Sequence, residues 1–191
     1  MLQAAGELFA EVGYARTTME AIAERAGLGV ATVYKYFGSK GGVLEQLIRP
    51  SLDHAYAEAE KVIAAPPPDP GSAMVALFEK YRYFLNDWSD RKLLRHVEMA
   101  EEDMPTRVVH EADARAQKQI RDLLLVLKGR GDLDAELAID DAAMVVFCVF
   151  NQHYEYFLTH EDVPIQRLFV DMGRRIRLLF VPWRRGPGQK K

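Results

Sequence analysis

Residues 17–40 read Thr-Thr-Met-Glu-Ala-Ile-Ala-Glu-Arg-Ala-Gly-Leu-Gly-Val-Ala-Thr-Val-Tyr-Lys-Tyr-Phe-Gly-Ser-Lys, which spells two short helices and a tight turn. The first starts after Thr17 or Thr18 as N-cap and carries Met19, Ile22, Ala23 and Ala26 on one face. It stops at Gly27, a residue that tolerates a left-handed backbone. The second runs from about Val30 to Phe37. Val33 and Phe37, one turn apart, point inward with Leu28, which leaves Thr32, Tyr34, Lys35 and Tyr36 on other faces. This is the layout of a helix-turn-helix, whose second helix enters the DNA major groove while flanking hydroxyls, amines and helix N-termini grip phosphates.

Outward from this hairpin, the preceding residues 8–14 read Leu-Phe-Ala-Glu-Val-Gly-Tyr and end an amphipathic helix. With Thr17-Thr18, Ile22-Ala-Glu-Arg-Ala-Gly27, Thr32-Val-Tyr-Lys-Tyr-Phe37 and Ser39-Lys40, the first 47 residues resemble the TetR family of one-component bacterial transcriptional regulators. Several core, turn and phosphate-contact positions agree at fixed spacing, which a bare helical hairpin does not achieve. Beyond Leu47 only the length and the helical layout are similar.

The resemblance implies an all-α protein with three parts. Residues 1–47 are expected to form a three-helix DNA-binding domain and 48–183 a helical ligand-binding and dimerisation domain. Residues 184–191 form a basic tail, either a disordered end or a source of nonspecific DNA attraction. Val30 and Ala31 fall where the resemblance places base-contacting side chains. With Tyr34 and Lys35 they are expected to face bases, while Thr18, Thr32, Tyr36 and Lys40 hold phosphates. Small apolar groups can meet the thymine methyl. For Tyr34 and Tyr36 the alternative is packing onto the first helix. Gly29 stands where an N-capping serine is common in the family.

The first helix places Leu2, Ala5, Leu8, Phe9 and Val12 toward a core and ends at Gly13. The family usually has several residues, often basic, ahead of it. Here the chain starts at Met1 almost inside the helix, as a start assigned too late or a truncated chain would. Ser39 is read as the cap of a fourth helix. Gly41 and Gly42 replace the acidic pair often found there, so no capping box forms and the start should fray. The helix continues through Val43, Leu44, Leu47 and Ile48 toward Val62 and Ile63, with a kink expected at Pro50. In TetR-like proteins this helix swings upon induction, and Pro50 is either the joint of that swing or a static bend.

Composition agrees with this picture. Nearly half of the 191 residues are apolar, enough to bury a core. A single cysteine excludes an intrachain disulfide and makes a reducing cytoplasm the simplest home. Cys148, within an apolar run, is read as a core residue. The longest apolar run, 142–150, is too short to cross a bilayer. Residues 1–49 hold five basic and five acidic side chains, yet from Gly27 to Leu44 the only charges are Lys35 and Lys40. The expected contact surface is therefore locally positive.

Residues 64–71, with Pro66-Pro67-Pro68, make a stiff connector, and Ser72 is read as the next cap. Leu77, Tyr81, Phe84, Leu85 and Trp88 follow at helical spacing, widened by Phe78. A shorter helix, about 90–102, breaks at Met104 and Pro105, and a long one carries Val109, Ala112, Ala116, Ile120, Leu123 and Leu127 to Gly129. Ala142 to Phe150 is apolar all round, so that helix should be buried on two sides. The last helix, with Pro164 in its first turn, shows Ile165, Leu168, Phe169, Met172, Ile176 and Leu179 on one stripe. Gly173 allows close approach. Two such helices from each of two chains would form a four-helix bundle, as in TetR-like homodimers.

Phe78, Tyr81, Phe84, Trp88, Met99, Met104, Asn151 and His153 are candidates to line an apolar ligand cavity, against the plain alternative of core. No metal set is expected: His54 and Glu58 share a face, but two ligands are too few. No cofactor motif or catalytic constellation is present. The expected function is a dimeric, ligand-responsive regulator, a repressor released from a palindromic double-stranded DNA operator by a small apolar or aromatic effector. The alternatives are control by a protein partner, or a small all-α enzyme or carrier.

Overall fold

The structure, a computed structural model, describes residues 1–87 and 107–184, with side chains at 1–82 and 110–184. It is all-α. The described residues form eight helices and no strand, with one isolated bridge between Leu133 and Arg184. One compact unit holds Met1–Leu52 together with residues 107–112, and a second holds Asp53–Asp87 and the chain from Asp113 on. The expected helix over 90–102, with Met99 and Met104, lies outside the described residues, as does the tail beyond Arg184.

In the first unit α1 (Leu2–Val12) buries Ala4, Ala5, Leu8 and Phe9, and α2 (Met19–Ala26) buries Met19, Ile22 and Ala23. Thr18 caps α2, its hydroxyl accepting from the Ala21 amide at 3.1 Å. Gly27 closes α2 at φ 66°, a left-handed conformation that costs glycine nothing. Arg25 ties α2 back to α1 with a two-pronged bond to Glu11 at 3.0 and 2.8 Å, and this holds the Glu11 carboxyl below its usual pKa. α3 (Val30–Phe37) contributes only Val33 to the buried core.

Leu28 departs from expectation. It is 40% exposed, not inward with Val33. Helical periodicity assigned it to the inner face, but it precedes the Gly29 N-cap and so does not follow the period of α3.

α4 (Lys40–Ala64) runs through Pro50 as one helix, and the division between the units falls within it, after Leu52. Ser39 does cap it: the hydroxyl accepts from the Gly42 amide at 3.1 Å. A Cβ at Gly42 would stand 2.0 Å from the Phe37 carbonyl oxygen, so the glycine that looks like a weak helix start is what allows α4 to close on the end of α3.

In the second unit the Pro-rich connector is pinned by Arg130, whose guanidinium donates to the carbonyls of Pro66, Pro67 and Pro68 at 2.9–3.0 Å. α5 (Pro70–Asp87) is capped by Asp69, not by Ser72. The Asp69 carboxylate accepts from the Ser72 amide at 2.9 Å, and Pro70 takes the first helical position, where a missing N–H is harmless. Partial burial alone would raise the Asp69 pKa. The Ser72 amide and hydroxyl and the Arg184 guanidinium outweigh it, holding the carboxyl below its ordinary 3.8. A depressed folded-state value means that the contribution is present at neutral pH and fades as pH falls through the folded pKa. Asp69→Ala should lower stability at pH 7 by about 1 kcal/mol. In thermal melts the gap between the two proteins should narrow as the pH falls below 4.

α6 (Arg107–Arg130) buries Ala116, Ile120, Leu123, Leu124 and Leu127, and Gly131, not Gly129, is the left-handed residue beyond its end. α7 (Ile139–Thr159) and α8 (Ile165–Trp183) pack on each other, and α8 also packs on α5. The expected stripe of α8 is buried at Leu168, Phe169, Met172 and Ile176. The tightest approach is at Gly71, where a Cβ would stand 3.2–3.3 Å from Arg177, and not at Gly173, whose neighbours lie at ordinary distance. Pro164 is the N-cap of α8, just outside its first turn. None of the described helices is long and apolar enough to cross a membrane.

Candidate nucleic-acid interface and effector domain

The outer surface of α3 is built by subtraction. Val33 alone goes into the core, so Val30, Ala31, Tyr34, Lys35 and Tyr36 face outward and Thr32 is half-buried. Tyr34 is 45% and Tyr36 64% exposed, which does not match packing onto α1. Gly29 caps α3 without a side-chain bond. Thr18 is exposed at the start of α2.

Lys40, expected on a phosphate, has other partners here. Its ammonium donates to the Tyr14 and Thr17 carbonyls at 2.9 and 3.0 Å and reaches that of Ala15 at 3.5 Å. It also lies 4.4 Å from the centroid of the Tyr14 ring. An ammonium has three protons, and all three are directed at the turn between α1 and α2. Lys40→Ala should therefore cost about 1–3 kcal/mol of stability, as expected for losing hydrogen bonds to a charged donor. The salt dependence of DNA binding should stay nearly unchanged. A fall of about one in the salt slope would show instead that Lys40 neutralises a phosphate when DNA is bound.

Residues 1–47 match the family model of bacterial regulatory proteins, tetR family. The match spans the first 47 of the 191 residues. Over 65 residues the chain is 32% identical to the HTH-type transcriptional repressor KstR2 of Rhodococcus jostii (strain RHA1). That stretch covers 34% of this chain and only 32% of the repressor's length. Two solved structures share the fold along nearly the whole chain. SmeT, the repressor of the Stenotrophomonas maltophilia multidrug efflux pump SmeDEF, is 21% identical with a TM-score of 0.70, covering 98% of this chain and 92% of its own. Thermus thermophilus FadR, a TetR-family transcriptional repressor solved with lauroyl-CoA, is 21% identical with a TM-score of 0.69, covering 100% and 97%. The tetR-type segment is thus followed by a helical unit of the architecture found in these repressors.

Of the expected effector-lining residues in that helical unit, Phe78 and Tyr81 are buried in an aromatic cluster. Phe78 stacks on Phe150 with centroids 4.8 Å apart, and Tyr81 meets Phe150 edge-on. The side chain of Phe84 and all of Trp88, Met99 and Met104 lie outside the described residues. Sequence reading missed Gln119, which is 1% exposed. Its carbonyl accepts from the Tyr81 hydroxyl at 2.8 Å, and its amide donates to the Tyr56 carbonyl at 3.0 Å and the Glu60 carboxylate at 2.5 Å. Burial pushes the Tyr81 phenol well above its usual pKa, so it remains a donor. The signal was available: a glutamine in the Ala116–Leu127 stripe is a polar group on an apolar face and must find partners.

Asn151 and His153 are not part of that cluster. Asn151 reaches along its own helix to Glu155 at 3.3 Å. His153 lies in a cleft between α7 and α8 lined also by Met144, Cys148, Tyr156 and Arg175. Arg175 donates to its Nε2 at 2.5 Å. Since a guanidinium cannot accept, the ring proton sits on Nδ1 and is given to the Val149 carbonyl at 2.6 Å. Cys148, expected in the core, is exposed in the single chain. Burial of this helix on two sides is expected from its sequence, but in the single chain only Ala142, Ala143, Val146 and Phe147 of 142–150 are buried. Met144 and Val145 on α7, and Val170, Leu178 and Val181 on α8, are 42–70% exposed. Among the described residues no group of three or more His, Cys, Asp or Glu could hold a metal ion.

Proposed function

We propose that this protein is a homodimeric transcriptional repressor that binds a palindromic operator through α3 and releases it when a small apolar or aromatic molecule occupies the helical unit. The observation that carries the reading is the tetR-type segment, residues 1–47, with the outward side chains of α3 left exposed. In it Val30, Ala31, Tyr34 and Lys35 face bases and Thr18, Thr32 and Tyr36 meet phosphates. Lys40 braces the motif through the carbonyls of the turn between α1 and α2.

The dimer rests on the uncovered apolar sides of α7 and α8. Met144, Val145, Val170, Leu178 and Val181 leave apolar side chains uncovered on both helices, and such exposure favours an interaction site. Self-association through it pairs two reading helices for two half-sites one turn apart. The effector is assigned to the interior of the second unit, where Phe78, Tyr81 and Phe150 supply aromatic walls and Gln119 a polar anchor. That FadR was solved with lauroyl-CoA makes acyl-CoA esters the first probes. Pro50, two residues before the division between the units, is the proposed joint of the response.

The test is selection of duplex DNA from a random pool by the full chain, followed by sedimentation. Enrichment of one inverted repeat, bound by two chains and released by an effector found in a thermal-shift screen, is expected. A chain that stays monomeric and enriches no duplex is not such a repressor.

A further inference from the structure

The composition of α3 limits how it can read sequence. From Gly27 to Leu44 there is no Asn, Gln, Arg, Asp or Glu. Yet Arg on guanine and Asn or Gln on adenine are the side chains that grip a base edge with two hydrogen bonds. The end of α3 that leads into the groove is instead apolar. Leu28 is 40% and Val30 36% exposed, and Ala31 is exposed beside them in sequence. Val30 and Tyr34 are four residues apart, as are Ala31 and Lys35, so each pair sits together on the helix surface. The core of the unit does not account for these side chains, since Val33 is the residue α3 buries. Lys35 is the single charged group on the helix and acts as a point charge without a fork to fix a base.

The major groove offers one apolar feature to such a surface, the 5-methyl group of thymine. Resting on the DNA-binding reading above, we propose that Leu28, Val30 and Ala31 select thymine by that methyl group. Each operator half-site then carries A·T pairs where the N-terminal end of α3 meets the groove. Leu28 belongs to this set because it lies outside the core, where helical spacing alone would have hidden it.

The test uses the full chain and the duplex it enriches from a random pool. Each thymidine is replaced in turn by deoxyuridine, which removes the methyl and leaves base pairing intact. At least one thymine per half-site should weaken binding by about fourfold, the effect of one methyl group withdrawn from water, and by about sixteenfold when both symmetric positions are changed. Exchanging that A·T pair for G·C should also weaken binding, and 5-methylcytosine in the new pair should recover part of the loss. Val30→Ala, at an exposed position, should shrink the deoxyuridine effect. An enriched inverted repeat in which every thymine tolerates deoxyuridine within twofold overturns methyl selection and leaves the repressor reading standing. Failure to enrich any duplex removes both.

Discussion

Gly42→Ala lowers the melting temperature by about 4–8 °C, the shift that a loss of about 2 kcal/mol produces in a chain of this size. Two effects oppose each other at this position. Alanine is the better helix former, worth about 1 kcal/mol over glycine in a helix interior. Against that, the new Cβ would lie 2.0 Å from the Phe37 carbonyl oxygen, with the Phe37 carbonyl carbon at 3.1 Å. Backbone cannot rotate away as a side-chain tip can, so either the turn between α3 and α4 opens or the Ser39 cap is lost. The clash wins. Because the junction ends α3, the helix proposed to read DNA, DNA affinity should fall with stability.

Gly129→Ala is the informative contrast. Nothing stands within 4 Å of its Cβ position, so the same substitution in α6 should stabilise by about 0.5–1 kcal/mol. Differential scanning calorimetry of both variants checks the sign as well as the size. A Gly42→Ala protein that melts at or above the parent temperature would mean that the α3–α4 junction is looser than described.

If the proposed dimer forms through α7 and α8, Leu178→Glu should convert it to a monomer and weaken operator binding by about 100-fold or more. Leu178 is 63% exposed on α8, the helix that also leaves Val170 at 70% and Val181 at 65%, so a charge there disturbs no packing within the chain. In the proposed bundle of α7 and α8 with their copies, however, it would bury an unpaired carboxylate in each chain, which costs several kcal/mol. Loss of the dimer also forfeits the second half-site, whose binding within one complex raises affinity by about 100-fold to 10,000-fold. Sedimentation equilibrium and mobility-shift titration read the two effects separately. A Leu178→Glu protein that stays dimeric places the interface elsewhere. One that is monomeric with unchanged affinity breaks the link between symmetry and DNA binding.

How far the sequence was legible differs along the chain. The helices of the first unit follow from local chemistry: Thr18 caps α2, Gly27 ends it, and Met19, Ile22 and Ala23 recur at the spacing of a helix face. Such signals depend on a few neighbouring residues, so they can be read without knowing the rest of the molecule. Where the reading missed, the missing information was a contact distant in sequence, or a choice between near neighbours. Ser72 and Asp69 offer the same capping chemistry one turn apart, and Pro70, which suits the first helical position, favours Asp69. Leu28 lies before the Gly29 cap, where the period of α3 no longer sets which way a side chain faces.

The sequence by itself determined that the chain is helical, where the helix-turn-helix lies, and which side chains that motif has available. Only the tertiary structure decided that the Lys40 ammonium reaches the Tyr14 and Thr17 carbonyls, that Gly42 makes room for the Phe37 carbonyl, and that Cys148 faces outward. The physical reason is the range of the forces involved. Helix signals act within a turn or two of the backbone, whereas an ammonium's partners and the exposure of an apolar face depend on how separate helices close on one another.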